Sequence, residues 1–145
     1  MAIADNYSML KNRQNAVLYY KKAIATFEKV NDSMALGISL SNLGDAYLQM
    51  KKPDSSMLYL IRSGEIFTAQ KFQLGLGHNY ANLGIAHAQN GYYLEAEKTL
   101  NKAIKILDEY GDYNAICTCL NYMSTIYEEK NDYLTALYFS NKSLD

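Results

Sequence analysis

The sequence predicts an all-α protein built from helical hairpins, and three observations support that class. The 145-residue chain contains a single proline, Pro53, so signals that interrupt helices are rare. Hydrophobic residues make up 49% of the chain, enough for a core, and they recur at helical spacing. The third observation is a pattern that returns every 40 residues along the chain without a gap.

The repeat is clearest in one short segment. Residues 42–47 (Asn-Leu-Gly-Asp-Ala-Tyr) return at 82–87 (Asn-Leu-Gly-Ile-Ala-His) and, more weakly, at 122–127 (Tyr-Met-Ser-Thr-Ile-Tyr); residues 3–7 hold a further trace. The period predicts a single repeat domain over 1–145. It contains complete repeats at 33–72 and 73–112 and partial repeats at 1–32 and 113–145. We therefore expect the chain to be a fragment of a longer array.

Each repeat is predicted to form two helices of about 17 residues. Apolar residues follow helical spacing over 34–50 and 54–70, over 74–90 and 94–110, and over 114–130 and from 134 onward. Turn residues separate the segments at 31–32, 51–53, 91, 111–112 and 131–132. In the same register, residues 1–32 hold the end of a first helix followed by a second helix.

Small residues occupy matching positions in successive repeats, where the two helices of a pair are expected to cross. Helices approach closely only where side chains are small, so these positions should face each other and tolerate no larger side chain. The first helices contribute Gly44, Gly84 and Ser124, and the second helices contribute Ser56, Ala96 and Ala136.

The order of recurring residue types resembles the tetratricopeptide repeat: Leu-Gly-x-x-Tyr, then a small, a large apolar and a small residue. One copy consists of Leu43, Gly44, Tyr47, Ser56, Leu60 and Ser63; the next consists of Leu83, Gly84, His87, Ala96, Leu100 and Ala103. The 40-residue unit with Asn before Leu-Gly resembles an extended subclass. The resemblance implies a right-handed α-solenoid of antiparallel helix hairpins. It also implies a concave groove, lined by the first helices, that binds peptides or proteins.

A stripe beside the apolar face of the first helices is the predicted partner-binding groove. The first helices carry almost no charge, and a charge-poor helix is buried or contacts a partner. These helices could instead be simply the inner layer of the solenoid. The resemblance implies that Asn42 and Asn82 clamp a peptide backbone; a structural hydrogen bond between helices is the alternative. The stripe comprises Ile38, Asn42, Asp45, Gln49, His78, Asn82, Ile85, Gln89, Thr118, Tyr122, Thr125 and Glu129.

The predicted function is a protein–protein or peptide interaction module. Asp45, Glu128 and Glu129 favour a neutral or basic partner segment, and the absence of Lys and Arg from the first helices disfavours a carboxylate ligand. Similar arrays precede signalling domains in bacteria, which suggests the sensor part of a signalling protein. The alternative is a structural self-association or spacer element without a groove ligand. Uncapped ends could also join copies into a homo-oligomer.

Several other classes of protein are disfavoured. The net charge of −1 argues against nucleic-acid binding, and no apolar run approaches a membrane span or signal peptide. The cytoplasm is the default compartment, and the periplasm applies if the fragment comes from a bacterial sensor. No catalytic, metal or cofactor motif occurs, so we predict a non-enzyme without metal or cofactor. Cys117 and Cys119 point apart on a helix and are expected to be small packing residues.

Overall fold

The computed structural model describes the backbone of residues 2–144 and the side chains of residues 9–144. Over the described backbone the chain forms seven α-helices and no strand, which confirms the all-α prediction. None of these helices is both long enough and apolar enough to cross a membrane. The helices are α1 (Ala2–Val30), α2 (Ser33–Gln49), α3 (Pro53–Ala69), α4 (Gln73–Gln89), α5 (Tyr93–Glu109), α6 (Tyr113–Glu129) and α7 (Tyr133–Leu144).

The helices α2 to α6 are 17 residues long, and each lies one residue earlier than the sequence predicts. A residue with positive φ stands two positions after the end of each of these helices, and one directly follows α1; each reverses the chain. Asparagine and glycine tolerate this left-handed conformation, whereas lysine adopts it at a cost of roughly 1 kcal/mol. These residues recur every 20 positions: Asn31 (56°), Lys51 (57°), Lys71 (55°), Gly91 (78°), Gly111 (68°) and Asn131 (59°).

The helix α1 departs from this pattern. The sequence predicts two helices within residues 1–32, whereas α1 is one continuous helix of 29 residues. Lys11, which stands 20 residues before Asn31, stays helical. A continuous helix through the segment 11–13 (Lys-Asn-Arg) keeps backbone hydrogen bonds that a turn would break. The side chains of the predicted first-helix trace at 3–7 lie outside the described residues.

The chain divides into two compact units, and the division falls between α3 and α4. Unit 1 covers residues 1–71 and contains α1 to α3; unit 2 covers residues 72–145 and contains α4 to α7. In unit 1, α2 packs against both α1 and α3. Val17 and Ile24 of α1 contact the fully buried Leu40 and Leu43 of α2, so α1 is anchored by its second half.

In unit 2 consecutive helices pack against each other, and α4 also contacts α6. The core is formed mainly by residues from α5 and α6; among them Leu100, Leu107, Met123 and Ile126 are at most 1% exposed. Burial of each such side chain stabilises the fold by about 1.5–3 kcal/mol. The core therefore lies between the two hairpins of unit 2, as it does between stacked hairpins of a repeat array.

The small residues predicted to face each other do so. In unit 1 the hydroxyl of Ser56 donates a 2.7 Å hydrogen bond to the backbone carbonyl of Gly44. In unit 2 the direction is reversed, and Ser124 donates a 2.8 Å bond to the carbonyl of Ala136. These bonds join the first helix to the second at the same repeat positions, which confirms the antiparallel hairpin.

The middle hairpin makes the same crossing without a hydroxyl. Ala96 is fully buried in α5, and Gly84 of α4 lies against Leu100. A side-chain carbon added at Gly84 would lie 2.7 Å from Cγ and Cδ2 of Leu100. At the same position in unit 1, a carbon added at Gly44 would lie 2.5 Å from Cδ2 of Leu60. Glycine is required at both positions because the neighbouring leucine fills the space that a side chain would need.

Candidate partner-binding surface

The α2 section of the predicted groove is open to solvent. Ile38, Asn42, Asp45 and Gln49 are all exposed. The amide nitrogen of Gln49 donates a 3.0 Å hydrogen bond to the carboxylate of Asp45. Although Asp45 is exposed as a residue, protein atoms partly shield its carboxyl group from water and raise its pKa; the bond from Gln49 acts in the opposite direction. The α2 section therefore offers one apolar side chain, amides and a partly desolvated acid.

The α4 section is less accessible. His78 is exposed, Asn82 and Gln89 are half-buried, and Ile85 is only 7% exposed. Ile85 therefore packs in the interior, whereas Asp45 at the same position of α2 faces solvent. Burial of the apolar side chain explains the difference, since isoleucine gains free energy when it leaves water. In α4 the accessible part of the stripe is His78 together with part of Asn82.

The α6 section presents mainly small polar groups. Thr118, Thr125 and Glu129 are exposed, whereas Tyr122 is half-buried and packs against the core of unit 2. Each threonine hydroxyl donates to the backbone carbonyl four residues earlier in its own helix, with distances of 3.2 and 3.1 Å. Their donor capacity is thus used within the helix, and their oxygen lone pairs remain available as acceptors.

A side-chain contact of His78 links the α4 section of the stripe to the start of α6. His78 Nε2 of α4 lies 2.8 Å from Oδ2 of Asp112. Asp112 is also the N-cap of α6, because its Oδ1 accepts a 3.3 Å hydrogen bond from the backbone N–H of Ala115. One carboxylate therefore caps α6 and positions His78. The sequence indicated a turn at Asp112, but nothing in the local pattern indicated the histidine as its partner.

A comparison with protein families bears directly on this arrangement. Residues 77–145 match the model of the tetratricopeptide repeat, and the described helices form the consecutive hairpins of such a repeat. The chain contains tetratricopeptide-type repeats. The tetratricopeptide repeat is a non-catalytic protein-interaction fold, so the chain is a protein-interaction module in general terms. The comparison with curated proteins found no match. Membership of the 40-residue subclass stays a prediction.

Within this tetratricopeptide array, a polar cluster joins α5 to α6. The hydroxyl of Tyr127 donates a hydrogen bond to Oε1 of Glu97, and Lys130 Nζ lies 3.3 Å from Oε2 of the same carboxylate. The bond to Glu97, reinforced by partial burial, raises the pKa of Tyr127 to about 12, so the phenol stays protonated and keeps donating at neutral pH. The cluster lies between successive hairpins and fixes α6 on α5. The sequence placed Tyr127 only at the end of the third, weaker copy of the repeated segment.

At the repeat position of Tyr127, an aromatic side chain of the first helix stacks on one of the second helix in the same hairpin. Tyr127 stacks on Phe139 with ring centres 5.5 Å apart, and Tyr47 stacks on Tyr59 at 5.7 Å. His87 holds this position in the middle repeat and is half-buried. Its Nδ1 is buried and has no hydrogen-bond partner among the described residues. The tetratricopeptide hairpin thus keeps an aromatic ring at this position, although one buried nitrogen of the histidine has no hydrogen bond to the described residues.

The two cysteines of this tetratricopeptide protein are unbridged. Cys119 is fully buried, and burial raises the pKa of its thiol to about 11, which keeps it in the unreactive thiol form. Cys117 is half-buried, and its thiol donates a 3.1 Å hydrogen bond to the carbonyl of Ser143. No group of three or more His, Cys, Asp or Glu side chains in the described part of the chain could hold a metal ion.

Proposed function

We propose that the protein binds a partner polypeptide on the exposed stripe of its first helices. In unit 2 this surface is formed by α4 and α6, and α2 carries the equivalent positions in unit 1. The observation that supports the proposal is a contrast in charge. The first helices contain no Lys or Arg, whereas α5 alone contains Lys98, Lys102 and Lys105. Exposed helical surface with few charged side chains is typical of the centre of an interface.

The exposed groups suit recognition of a polypeptide backbone. Asn42 and Asn82 share one repeat position, and each amide supplies two donors and an acceptor. Thr125 adds acceptor capacity on α6, and Ile38 adds an apolar contact on α2. A backbone offers the complementary N–H and C=O groups whatever its sequence. We therefore assign the two asparagines the role of backbone clamps.

The charges that are present favour a neutral or basic partner segment. Asp45 lies on α2, and Glu128 and Glu129 lie at the end of α6. His78 is engaged by Asp112. A carboxylate-ended ligand would meet no lysine or arginine on these helices, so its charge would lack a partner. The further expectation of a sensor role in bacterial signalling rests on the family resemblance and stays a prediction.

The double substitution Asn42→Ala/Asn82→Ala tests this proposal. Peptides are first selected on the immobilised chain from a phage-displayed random library, and their affinity is then measured by fluorescence anisotropy. We expect the double variant to bind the selected peptides about tenfold or more weakly, because each lost hydrogen bond contributes about 0.5–1.5 kcal/mol. The control Asn15→Ala/Asn101→Ala removes exposed amides from α1 and α5 and should bind as the wild type does.

Two results would contradict the groove proposal. One is a double variant that binds as tightly as its control. The other is a selection that yields no peptide while the chain only associates with itself, which would favour the structural alternative. Circular dichroism of each variant shows whether its helices are intact. Because Asn42 is exposed and Asn82 is half-buried, the substitutions should leave the fold unchanged.

A further inference from the structure

Unit 1 contains a pocket that shares no side chain with the predicted groove. The pocket has a volume of about 380 Å³ and opens between α1 and the end of α2. Ligand pockets in proteins typically measure about 300–1,000 Å³, so this one has room for a large side chain of a partner. The lining residues are Gln14, Val17, Leu18, Tyr47, Met50 and Lys52.

This α1–α2 pocket is not a position at which a further helix of the repeat array packs. Its counterpart in unit 2 lies between α5 and α6, and α5 contacts a first helix on either side, α4 and α6. Even so, Leu94 and Lys98 of α5, the counterparts of Gln14 and Leu18, stay exposed. Helix α4 meets α5 at Leu100 instead. A helix packed in the same way before α1 would therefore leave the pocket open.

The counterpart in unit 2 is closed by the polar cluster of α5 and α6. Glu97 accepts a hydrogen bond from Tyr127 and lies 3.3 Å from Lys130. Unit 1 has Val17 and Met50 at the positions of the acid and the lysine, so the same cluster cannot form there. Val17 is 8% exposed and Met50 is half-buried. The α1–α2 pocket thus has an apolar floor, against which an apolar side chain gains free energy.

Basic side chains stand around this apolar floor. Lys52 lines the pocket, and the ammonium group of Lys21 lies 5.9 Å from the centre of the Tyr47 ring, which lines it as well. Arg13 donates a 3.2 Å hydrogen bond to the backbone carbonyl of Gln49 at the end of α2. Three cationic groups from two parts of the chain therefore lie at or beside the pocket.

The acidic residues of the same segments do not offset these charges. Residues 9–27 of α1 contain four basic residues and no acid. Glu28, the next acid along the chain, is paired with Arg62 of α3. Asp54 stands in the first turn of α3, where the helix dipole favours a carboxylate. The rim of the pocket is therefore positively charged and complements a negatively charged partner.

We propose that the α1–α2 pocket binds an acidic polypeptide segment that inserts one large apolar side chain, leucine or phenylalanine. The inserted side chain contacts Val17, Leu18 and Met50, and the flanking carboxylates pair with Lys21 and Lys52. Cations grouped around a single apolar pocket suit an anchored peptide better than a membrane, which presents its charge over a flat surface. The site goes beyond the first-helix groove, which favours a neutral or basic segment.

Two phage-displayed libraries test the charge preference on the immobilised chain. Each library holds a fixed phenylalanine between randomised positions, which encode Asp, Glu, Ser and Gly in one library and Lys, Arg, Ser and Gly in the other. We expect the acidic library to yield binding peptides. If it yields none, the proposal is overturned.

Leu18→Glu tests the apolar contact. Leu18 is 59% exposed, so its replacement should leave the core of unit 1 intact. We expect the selected acidic peptides to bind this variant about tenfold or more weakly in fluorescence anisotropy, because an apolar contact is lost and a like charge is gained. Leu94→Glu is the matched control: Leu94 on α5 is 57% exposed, and its replacement should leave the affinity unchanged.

Lys21→Glu/Lys52→Glu tests the basic rim. Both lysines are exposed, and reversing their charges should weaken binding of the acidic peptides about tenfold or more. Lys98→Glu/Lys105→Glu on α5 changes the net charge by the same amount and should leave the affinity unchanged. Equal losses in the two double variants would overturn the proposal, because binding would then follow net charge alone. Circular dichroism shows whether each variant keeps its helices.

Two other results would also overturn the proposal. One is an acidic peptide that binds Leu18→Glu as tightly as it binds the wild type. The other is capture of the wild type, but not of Leu18→Glu, by phosphatidylglycerol vesicles in the presence of the acidic peptides without competition. The pocket would then take a lipid surface and not a polypeptide.

The α1–α2 pocket can be tested separately from the groove. Asn42→Ala/Asn82→Ala should bind the acidic peptides as the wild type does. Leu18→Glu should leave unchanged the affinity for those peptides that Asn42→Ala/Asn82→Ala weakens. Acidic peptides that lose affinity for the asparagine variant and keep it for Leu18→Glu would place their binding in the groove and overturn the pocket proposal alone.

Discussion

Replacing Gly84 with leucine should lower the free energy of unfolding by about 3 kcal/mol or more. The added Cβ alone would lie 2.7 Å from Cγ and Cδ2 of Leu100 and 3.3 Å from its backbone nitrogen. Leu100 has no exposed surface and is packed in the unit 2 core, so it cannot move aside. The leucine must then force α4 away from α5 and break the close crossing of the hairpin.

Urea unfolding followed by circular dichroism measures this effect. Lys98→Leu is the control, since Lys98 is exposed on α5 and its replacement should change the free energy of unfolding by at most about 0.5 kcal/mol. If Gly84→Leu unfolds at the same urea concentration as the wild type, α4 and α5 do not cross at this glycine.

Truncating Leu100 should produce the second large loss of stability. Leu100 is fully buried between α4 and α5 and belongs to the core cluster of unit 2. Leu100→Ala removes a large apolar side chain and leaves a cavity, at an expected cost of about 2–5 kcal/mol. Leu94→Ala on the same helix is the control, because Leu94 is 57% exposed and its loss should cost far less.

A double variant at positions 84 and 100 tests the contact between Gly84 and Leu100. Leu100→Ala removes the carbon atoms that a side chain at Gly84 would meet. Gly84→Ala/Leu100→Ala should therefore lose less free energy of unfolding than the two single variants together. Strict additivity would contradict the packing described for the middle hairpin, even if each single variant were unstable.

The 40-residue period was sufficient to predict the repeat and the hairpins to within one residue. Small residues at fixed spacing predicted the helix crossings, because two helix backbones approach closely only where the side chains between them are small. The continuous α1 was not predictable in this way. Its segment 11–13 carries the same repeat register as the turn at 51–53 and differs from it in having no proline, but the turn after α3 also has none, so the residue types do not separate helix from turn here.

The surface was less predictable than the fold. Helical spacing placed Asp45 and Ile85 at one repeat position, yet Asp45 is exposed and Ile85 is buried. Exposure depends on how neighbouring helices pack, which the spacing along one helix does not specify. For the same reason the His78–Asp112 contact, which joins residues 34 positions apart, left no local signal in the sequence.

Site-specific photo-cross-linking tests the central claim, that partners bind the first helices, most directly. A photoreactive residue is placed at Thr118 on α6, at Gln49 on α2, or at Asn101 on α5, all of which are exposed. A selected peptide should cross-link at Thr118 or at Gln49 and not at Asn101. Cross-linking at Asn101, with none on α2 or α6, would contradict the account.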